Sequence, residues 1–330
     1  FIWQLLMTKN YSGHKDILHS KRANMYYLEH CRVMVKDGRV VFLKAAQEEN
    51  QYWNIPIANT TVLLLGTGTS ITQAAVRDLC GAGVMFGFSG GGGTPLLAAT
   101  EVKPANEIEW LSPQSEYRPT EYLQAWLSFW FDAQKRLSIA KFFQVKRLEY
   151  LAKVWAKDRA LKSYDFALND SQLEKTISRY QQDIETSSDV TKLLAAEMQL
   201  TKSLYAFAAK RTQTEAFTRD HDPAQTDSAN KFLNHGNYLA YGLATTCLWV
   251  LGVPHGFAVM HGKTRRGALV FDVADLIKDT LVLPLAFIAA HEGDTEQEFR
   301  QRCLQAFTQH EALDFMFDCV KEAAQTGQAL

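Results

Sequence analysis

The chain has 330 residues, with 35 Lys and Arg against 36 Asp and Glu, so its formal net charge is -1. This balance excludes a protein that is basic over its whole surface. With 47% hydrophobic and 22% charged residues, the composition is that of a globular protein and excludes disordered, fibrous and disulfide-stapled chains. The length indicates about two domains.

Two features of the sequence bear on its compartment. The five cysteines are odd in number and form no Cys-x-x-Cys pair, which favours reduced thiols in a cytoplasmic protein. Residues 238–261 contain no Asp, Glu, Lys or Arg and are numerous enough to span a bilayer. Because Gly252, Pro254 and Gly256 interrupt this run, we expect a buried helix followed by a loop, with no membrane association.

The first hundred residues are typical of a β-rich domain. Residues 25–35 are β-branched and aromatic, Asp37 and Gly38 suit a tight turn, and residues 39–44 return to form a hairpin. Further elements follow from the pattern of apolar residues: a strand at 61–65, a helix at 71–80 and a strand at 84–88.

From residue 120 onward, apolar residues recur at helical spacing, and Pro and Gly are nearly absent until Gly236. Pro104, Pro113 and Pro119 punctuate the stretch before it, as in a linker. The sequence therefore predicts an α+β protein. A small β-rich domain occupies residues 1–103, a linker residues 104–119 and a larger α-helical catalytic domain residues 120–330.

Charge is unevenly distributed. Residues 131–165 contain nine basic and four acidic residues, whereas residues 281–330 contain three basic and eight acidic ones. Four lysines in the basic segment have spacings that place them on one face of a continuous helix: Lys135, Lys146, Lys153 and Lys157. This lysine stripe is either a solvated helix face or a track for a phosphate backbone.

Glu197 is the residue that least fits its surroundings. In a predicted helix over residues 191–211, it lies within the same apolar arc as Leu193, Leu200 and Leu204. An ionised carboxylate facing a core costs several kcal/mol unless it meets a cation, a metal or strong donors. Glu197 therefore needs a partner, which is either an arginine such as Arg211 or a metal ion.

Metal-ligand candidates follow His261. Leu269 to Phe271 reads as an extended approach to a helix, with Asp272 and Asp275 on one face of its first turn, where anions are favoured. Two carboxylates, an imidazole and Glu197 form an oxygen-rich set suited to Mg2+ or Mn2+. Taken singly, Asp272 is also compatible with a helix-terminal carboxylate and His261 with a loop histidine.

Basic residues flank this set of ligand candidates. Lys263, Arg265 and Arg266 lie between His261 and the predicted helix. Cations beside a divalent metal indicate an anionic substrate. Phosphate fits such a site because it can bridge the metal and also accept hydrogen bonds from arginine.

The motifs around these residues resemble a known family. His261 followed by Gly-Lys, then LVFDVADLIKD at 269–279 with an upstream helical glutamate, is similar to the spacer-acquisition integrases of CRISPR systems. Three further segments resemble their subtype I-F (Ypest) branch: ILHSKRANMYYLEH at 17–30, WNIPIANTT at 53–61 and SPQSEYRPTEY at 112–122. The resemblance extends from about residue 17 to residue 318.

The resemblance implies a β-rich N-terminal domain that forms a homodimer and a helical C-terminal domain that carries the site. It assigns Glu197, His261 and Asp275 as metal ligands and Asp272 as a further active-site carboxylate. Lys263 is implied as a phosphate contact, with Tyr241 and Phe271 as packing around the nucleic acid. From their charge and position, Arg265, Arg266 and the four lysines of the stripe are predicted as further DNA contacts.

The resemblance also implies the reaction and the partners. The expected enzyme is a metal-dependent DNA endonuclease and integrase that inserts protospacer DNA into the CRISPR array, by attack of a DNA 3′-hydroxyl on a repeat phosphodiester. Expected partners are double-stranded and branched DNA and the small second CRISPR-associated protein, fused in this subtype to the helicase-nuclease. The alternatives are a general metal-dependent nuclease and a non-catalytic DNA-binding scaffold.

Overall fold

The computed structural model describes residues 22, 24–44, 51–89, 109–111, 119–167, 170–214, 217–220, 227–261 and 268–330. Short strands and one helix make up the N-terminal part of this described set. They are β1 Asn24–Leu28, β2 Cys31–Lys36, β3 Arg39–Lys44, β4 Gln51–Asn54, β5 Thr60–Leu65, β6 Ser70–Ile71, α1 Gln73–Gly81, β7 Met85–Phe88 and β8 Glu109–Leu111.

The strands form two four-stranded sheets. The first has the order β1-β5-β7-β8 and the second β4-β3-β2-β6. The predicted hairpin is confirmed, because β2 and β3 pair antiparallel around Asp37 and Gly38. Both turn residues have positive φ, 50° and 73°, as the tight turn that matches strand twist requires.

The prediction of one strand over residues 25–35 is wrong. β1 pairs in parallel with β5 in the first sheet, whereas β2 belongs to the second. The chain changes sheet at His30, whose φ is 48° and whose amide donates to the Thr67 carbonyl at 2.9 Å. No Gly or Pro marks this bend, so the local sequence carries no signal for it.

β5 is the most deeply buried strand, and all of its residues are inaccessible. Leu63 and Leu65 pack into the core formed with the second sheet and α1, whereas Val62 and Leu64 pack into the helical core. A parallel strand covered on both faces reads as a continuous apolar run, as β5 does. The first sheet is therefore a layer shared by the two halves of the molecule.

β8 lies inside the predicted linker. It pairs antiparallel with β7 and forms the edge of the first sheet. The stretch predicted to connect the domains, residues 104–119, thus contributes a strand to the N-terminal sheet. The remainder of that stretch up to residue 118 is outside the described residues.

The C-terminal part is helical, which confirms the predicted α+β class. Its elements are α2 Glu121–Trp130, α3 Ala133–Trp155, α4 Arg159–Ser163, α5 Ser171–Thr186, α6 Val190–Arg211, α7 Ser228–Leu251, α8 Ala268–Ile277, a π-helical turn Lys278–Val282, α9 Leu283–Glu292, α10 Glu296–Gln309 and α11 Ala312–Ala329. The predicted helix over residues 191–211 matches α6, and Leu193, Leu200 and Leu204 are buried as expected.

The apolar run at residues 238–261 is a buried helix followed by a loop, as predicted. α7 ends at Leu251, and Gly252 supplies the left-handed residue, with φ 68°, that terminates the helix. No helix among the described residues is long and apolar enough to cross a membrane.

A π-helical turn separates α8 from α9. Pro284 has no N–H, so it cannot donate to the carbonyl of Thr280 four residues earlier. The buried indole of Trp155, on α3, donates to that carbonyl instead, at 2.9 Å. This tie fixes the π turn against α3, and Lys278 and Asp279 open the turn beside the residues of the predicted site.

Arg300 on α10 joins the helical part to the first sheet. Its Nη1 donates to Glu29 at 2.8 Å, and its guanidinium lies over the ring of Tyr27 at 4.7 Å. Its Nε donates to Nε2 of the buried His235 on α7 at 3.4 Å. Side chains of β1, α7 and α10 therefore meet around a single cation.

Candidate metal centre

Glu197 projects from the middle of α6, and its side chain is only 14% exposed. Its partner is Arg147 of α3, whose Nη1 donates to Oε1 at 2.8 Å. The expected alternative partner, Arg211, pairs instead with Asp170 at 2.9 Å. The carboxylate of Glu197 is therefore paired with an arginine, which was one of the two predicted alternatives. That arginine lies on α3 rather than on α6.

Arg147 is almost completely buried and makes charged contacts in two directions. Its Nε donates to Oδ2 of Asp279 at 3.0 Å, and its Nη2 contacts the same carboxylate. Gln144 accepts a further bond from Nη1 at 3.0 Å, and Thr201 one from Nη2 at 3.3 Å. A planar guanidinium suits this arrangement because its donors diverge within one plane.

Asp272 positions His261 through Nδ1, the ring nitrogen that does not face Asp275. Its carboxylate accepts the backbone N–H of Val259 at 2.7 Å, of Met260 at 3.2 Å and of His261 at 2.9 Å. Its Oδ1 also lies 2.7 Å from Nδ1 of the His261 ring. Since a carboxylate with these donors acts as acceptor, Nδ1 carries the proton and Nε2 is left with its lone pair toward Asp275.

The predicted start of this helix is wrong. Residues 269–271 are helical, because α8 begins at Ala268, so Asp272 and Asp275 lie beyond its first turn. Leu-Val-Phe resembles a strand locally, but burial within the helical core overrides that preference. The anion at Asp272 is stabilised by the amides of the loop before α8 rather than by the helix terminus.

Asp275 completes the group. Its Oδ2 lies 3.6 Å from Nε2 of His261, and its other oxygen pairs with the ammonium of Lys278 one turn later. One ligand atom each from Glu197, His261 and Asp275 lies within 4.8 Å of the others. The structure thus brings together three residues separated by 64 and 14 positions in the chain.

The pKa values of the three groups reflect this crowding. Burial raises the pKa of Glu197, although Arg147 opposes the effect. Burial alone would also raise the pKa of Asp275, but the charges of Lys278 and His261 hold it below its usual value. The pKa of His261 is raised, because its hydrogen bond to Asp272 and the charge of Asp275 outweigh burial.

The donor set fits a divalent cation. Two carboxylates and one imidazole, with no cysteine among them, are the oxygen-rich ligands that Mg2+ and Mn2+ prefer over structural zinc. The second ring nitrogen of His261 is held by a carboxylate, as is usual for metal-bound histidine. Glu197, His261 and Asp275 would hold the ion, whereas Asp272 acts through His261.

The aromatic residues Tyr241 and Phe271 pack beside this centre. Their rings meet edge-on with centroids 4.8 Å apart, and Phe271 lies 6.1 Å from the His261 ring. The ammonium of Lys278 lies 5.3 Å from the Tyr241 ring centroid. Both aromatic residues therefore adjoin the metal centre, while their predicted packing against nucleic acid stays a prediction.

The predicted lysine stripe lies mainly on α3, so we call it the α3 stripe from here on. It faces away from the candidate metal centre. Lys135, Lys146 and Lys153 share one face of α3 within about 20°, but that face is at least about 100° from Gln144 and Arg147. Lys157 follows the end of α3 at Trp155. Lys146 is paired with Glu322 at 2.9 Å, so one of the four cations is already neutralised by α11.

The other predicted DNA contacts cannot be placed. Lys263, Arg265 and Arg266 lie outside the described residues, which stop at His261 and resume at Ala268. Contact of these residues and of the α3 stripe with DNA stays a prediction.

The cations and polar groups around the candidate ligands were not predicted from the sequence. Arg147, Gln144, Lys278 and Asp279 all contact a ligand or one another. A signal for Lys278 was present, because Asp275 and Lys278 are three apart on one helix and therefore share a face. Arg147 gave no signal of its own because it stands among the lysines of α3, although it lies on the buried face of that helix.

The family model and the relatives that match this chain agree with one another. The family model of CRISPR associated protein Cas1 matches residues 26–314. The chain is 56% identical to the CRISPR-associated endonuclease Cas1 of Pseudomonas aeruginosa, over 94% of the chain and 95% of the relative. It is 58% identical to the one of Pectobacterium atrosepticum, over 94% of each.

Solved structures share the fold. A TtCas1-DNA complex matches with a TM-score of 0.60 and 20% identity, covering 91% of this chain and 90% of that one. A casposase bound to integration product matches with a TM-score of 0.62 and 13% identity, covering 93% and 91%. With a family match over most of its length and relatives above half identity, the chain belongs to the CRISPR-associated Cas1 endonuclease family.

Proposed function

We propose that this chain is a divalent-metal-dependent DNA integrase and endonuclease that inserts protospacer DNA into a CRISPR array. The observation that carries the proposal is the cluster of Glu197, His261 and Asp275, whose ligand atoms lie within 4.8 Å of one another. The family membership gives nuclease chemistry, and the cluster supplies the donor set that such chemistry requires.

Mg2+ or Mn2+ bound by the cluster would polarise a phosphodiester and offset the charge that develops on its oxygens. The chain's own residues prepare the site for that task. Asp272 fixes the ring of His261 so that Nε2 faces Asp275, and Arg147 fixes the carboxylate of Glu197. Lys278 places a further positive charge beside Asp275.

The proposed reaction is a direct transfer. A DNA 3′-hydroxyl loses its proton and forms a bond to the phosphorus of a repeat phosphodiester. The bond from that phosphorus to its leaving 3′-oxygen breaks, and that oxygen takes up a proton. The number of phosphodiester bonds is conserved, so no covalent protein intermediate is needed. Hydrolysis at the same site replaces the 3′-hydroxyl by water.

The proposed partners have different kinds of support. DNA as a ligand is supported by the similar fold of a TtCas1-DNA complex. A homodimer through the N-terminal part is supported by β4, an edge strand whose residues are all exposed, with Trp53 at 53% and Tyr52 at 40%. A complex with the second CRISPR-associated protein, fused to the helicase-nuclease, stays a prediction from the sequence resemblance.

The metal centre is tested with variants that keep side-chain shape. Glu197→Gln and Asp275→Asn are preferred to alanine, because the amide keeps the side-chain volume and its oxygen can still accept a hydrogen bond from Arg147 or Lys278. We expect each to lower Mn2+-dependent strand transfer by at least about a hundredfold, since loss of a group behind a metal ligand already costs about 10- to 100-fold. Mn2+ binding, titrated without DNA, should weaken in parallel.

Glu149→Gln is the matched control. Glu149 is an exposed glutamate of α3 that lies 3.9 Å from Lys146 and far around the helix from Arg147. It should retain both strand transfer and Mn2+ binding. Full activity in Glu197→Gln would contradict the proposed centre, and a parent protein without stoichiometric Mn2+ binding would favour the DNA-binding scaffold.

The two catalytic alternatives are separated by the products. A substrate that carries a CRISPR repeat and a donor with a free 3′-hydroxyl yields a joined, branched product if the chain is an integrase. Cleavage to linear fragments with no joined product would instead identify a general nuclease that uses the same centre.

A further inference from the structure

Gln144 on α3 is a buried amide that lies between the two halves of the candidate metal centre. Its side chain is only 2% exposed, and it precedes Arg147 by one turn on the same face of the helix. Two other parts of the chain contact it: α5 contributes Tyr180, and the loop after α7 contributes Met260. Gln144 therefore lies where α3, α5 and the loop that carries His261 meet.

Hydrogen bonds fix the direction in which the amide of Gln144 points. Arg147 has donors only, so its Nη1, 3.0 Å away, must face the amide oxygen. The hydroxyl of Tyr180 donates to the same oxygen at 2.8 Å, and these two bonds use both of its lone pairs. The amide nitrogen then faces the sulfur of Met260, a weak acceptor, at 3.3 Å. A reversed amide would place its N–H groups against the donors of the arginine.

The oxygen of Gln144 leads to Glu197. Arg147 Nη1 carries two hydrogens, and this one nitrogen donates to Gln144 at 3.0 Å and to Glu197 Oε1 at 2.8 Å. Because the donors of a guanidinium diverge within a rigid plane, the amide that holds Nη1 also limits where Nη1 can meet the carboxylate. Gln144 therefore restricts the orientation of Arg147 and, through it, the position of Glu197.

The nitrogen of Gln144 leads to His261. Met260 directly precedes His261, and its backbone N–H donates to Asp272 at 3.2 Å. Asp272 in turn holds Nδ1 of the His261 ring at 2.7 Å. A methionine side chain is flexible, so a contact at its sulfur reduces the number of positions open to this part of the loop. Gln144 is thus connected to His261 as well as to Glu197.

We propose that Gln144 is a positioning residue that sets the relative positions of Glu197 and His261 as metal ligands. The inference rests on the proposed function, because it concerns the ligands of that same centre. Gln144 is buried and acts through Arg147 and Met260, without contact with the ion or with DNA. Groups that orient metal ligands in this indirect way contribute about 10- to 100-fold to metal affinity.

Mn2+ binding to the full chain, measured without DNA, tests this role directly. Gln144→Met keeps an unbranched side chain of similar length but loses the acceptor for Arg147 and the donor to Met260. We expect the Kd for Mn2+ to rise about 10- to 100-fold, which electron paramagnetic resonance of free Mn2+ measures. In strand transfer, kcat should fall while the KM for the DNA substrate stays at the parental value, because Gln144 has no part in binding DNA.

A double variant separates positioning from stability. Gln144→Met leaves the buried hydroxyl of Tyr180 without its acceptor, so we expect the midpoint of urea unfolding to fall. Tyr180→Phe, added to it, removes that unpaired hydroxyl and should return the midpoint toward the parental value. Mn2+ affinity should stay low in the double variant, because neither substitution restores the contacts with Arg147 and Met260.

Gln134→Met is the matched control. Gln134 is an exposed glutamine of α3, about 15 Å along the helix from Gln144, and its replacement should leave Mn2+ affinity unchanged. Parental Mn2+ affinity in Gln144→Met or in the double variant would overturn the inference, because a purely structural role predicts that affinity follows stability. If Glu197→Gln binds Mn2+ weakly in the same assay, the proposed metal centre stands and only the role of Gln144 fails. A parent that does not bind Mn2+ overturns both.

Discussion

Two cations, the buried Arg147 and the partly buried Lys278, hold the carboxylates of the candidate metal centre. Arg147 joins Glu197 to Asp279, and Lys278 pairs with Asp275. Without them the centre would gather several anions in a volume of low dielectric, at a cost of several kcal/mol for each unpaired ion. The cations therefore allow the three candidate ligands to stay close together without a metal ion.

Replacement of Arg147 tests this role. Arg147→Met should lower the free energy of unfolding by about 3–5 kcal/mol, because it leaves Glu197 and Asp279 buried without a counter-ion. Arg147→Lys keeps the charge but cannot reach both carboxylates, so a smaller loss is expected. The measurement is urea unfolding followed by circular dichroism.

The control for this experiment is Arg179→Met. Arg179 is 78% exposed and lies 4.0 Å from Asp183, so its loss should change stability by no more than about 0.5 kcal/mol. Adding Asp279→Asn to Arg147→Met should recover part of the loss. An equal effect of the two arginine variants would contradict the role given to Arg147.

At this scale the sequence predicted the ligands better than their partners. Glu197 was conspicuous because a single carboxylate interrupted an apolar arc, and Asp275 and His261 came with a recognisable motif. The partner of Glu197 could not be predicted, because it lies 50 residues away on another helix and the choice between Arg147 and Arg211 depends on how α3, α5 and α6 pack.

Among the elements, α8 and the π turn show how packing changes a local preference. Residues 269–271 have the side chains of a strand but are helical, because Leu269 and Val270 lie in the helical core. Pro284 interrupts the hydrogen bonding after α8, and the Trp155 indole compensates for it. In the π turn that results, Lys278 pairs with Asp275 and Asp279 pairs with Arg147.

The contact between α7, α10 and β1 predicts a pH dependence of stability. Burial, with the charge of Arg300 adding to it, lowers the pKa of His235 to about 4 from an ordinary value of 6.5. Between these values the unfolded chain binds a proton that the folded chain does not, so the stability contributed by neutral His235 is present above pH 6.5 and is lost as pH falls toward 4. The full loss is roughly 3 kcal/mol.

His235→Gln isolates this contribution, because glutamine can still accept a bond from Arg300. Urea unfolding from pH 7 to pH 4.5 should show a shallower decline for the variant than for the parent. His291→Gln replaces an exposed histidine and should retain the parental profile. Identical pH profiles for the parent and His235→Gln would contradict the buried neutral state of His235.

In the whole molecule, the two predicted domains share a layer rather than meeting at a small contact. The first sheet packs one face against the second sheet and α1 and the other against the helices. Arg300 adds an ionic tie to Glu29. A buried surface therefore fixes the position of the N-terminal part relative to the candidate metal centre. In the proposed dimer, each centre would keep that position relative to its own N-terminal part.

The balance of charge has a consequence for DNA binding. Despite a net charge of -1, we expect affinity for single-stranded DNA to fall steeply with salt, because binding depends on local cations. Lys231→Gln, at the exposed N-terminal end of α7, should reduce the slope of log K against log salt by about 0.7, the value for one phosphate on a single strand. Fluorescence anisotropy over a series of salt concentrations measures it.

Lys321→Gln is the control, because Lys321 lies in α11 within the acidic segment 281–330. Its slope should equal that of the parent. Variants of Lys153 and Lys157 extend the test to the α3 stripe: on duplex DNA each should reduce the slope by about 0.9 if that face contacts phosphates. An unchanged slope in Lys231→Gln would contradict a phosphate contact at the N-terminal end of α7.

The sequence by itself determined the α+β class, the helical character of the C-terminal part and the hairpin, and with a motif resemblance it also gave the candidate ligands, because periodicity, turn chemistry and a misplaced carboxylate are local properties of a chain. Only the tertiary structure decided which sheet each strand joins, which arginine meets Glu197 and which way the α3 stripe faces. Those outcomes depend on contacts between residues far apart in the chain, and the burial that selects them exists only after the elements have packed.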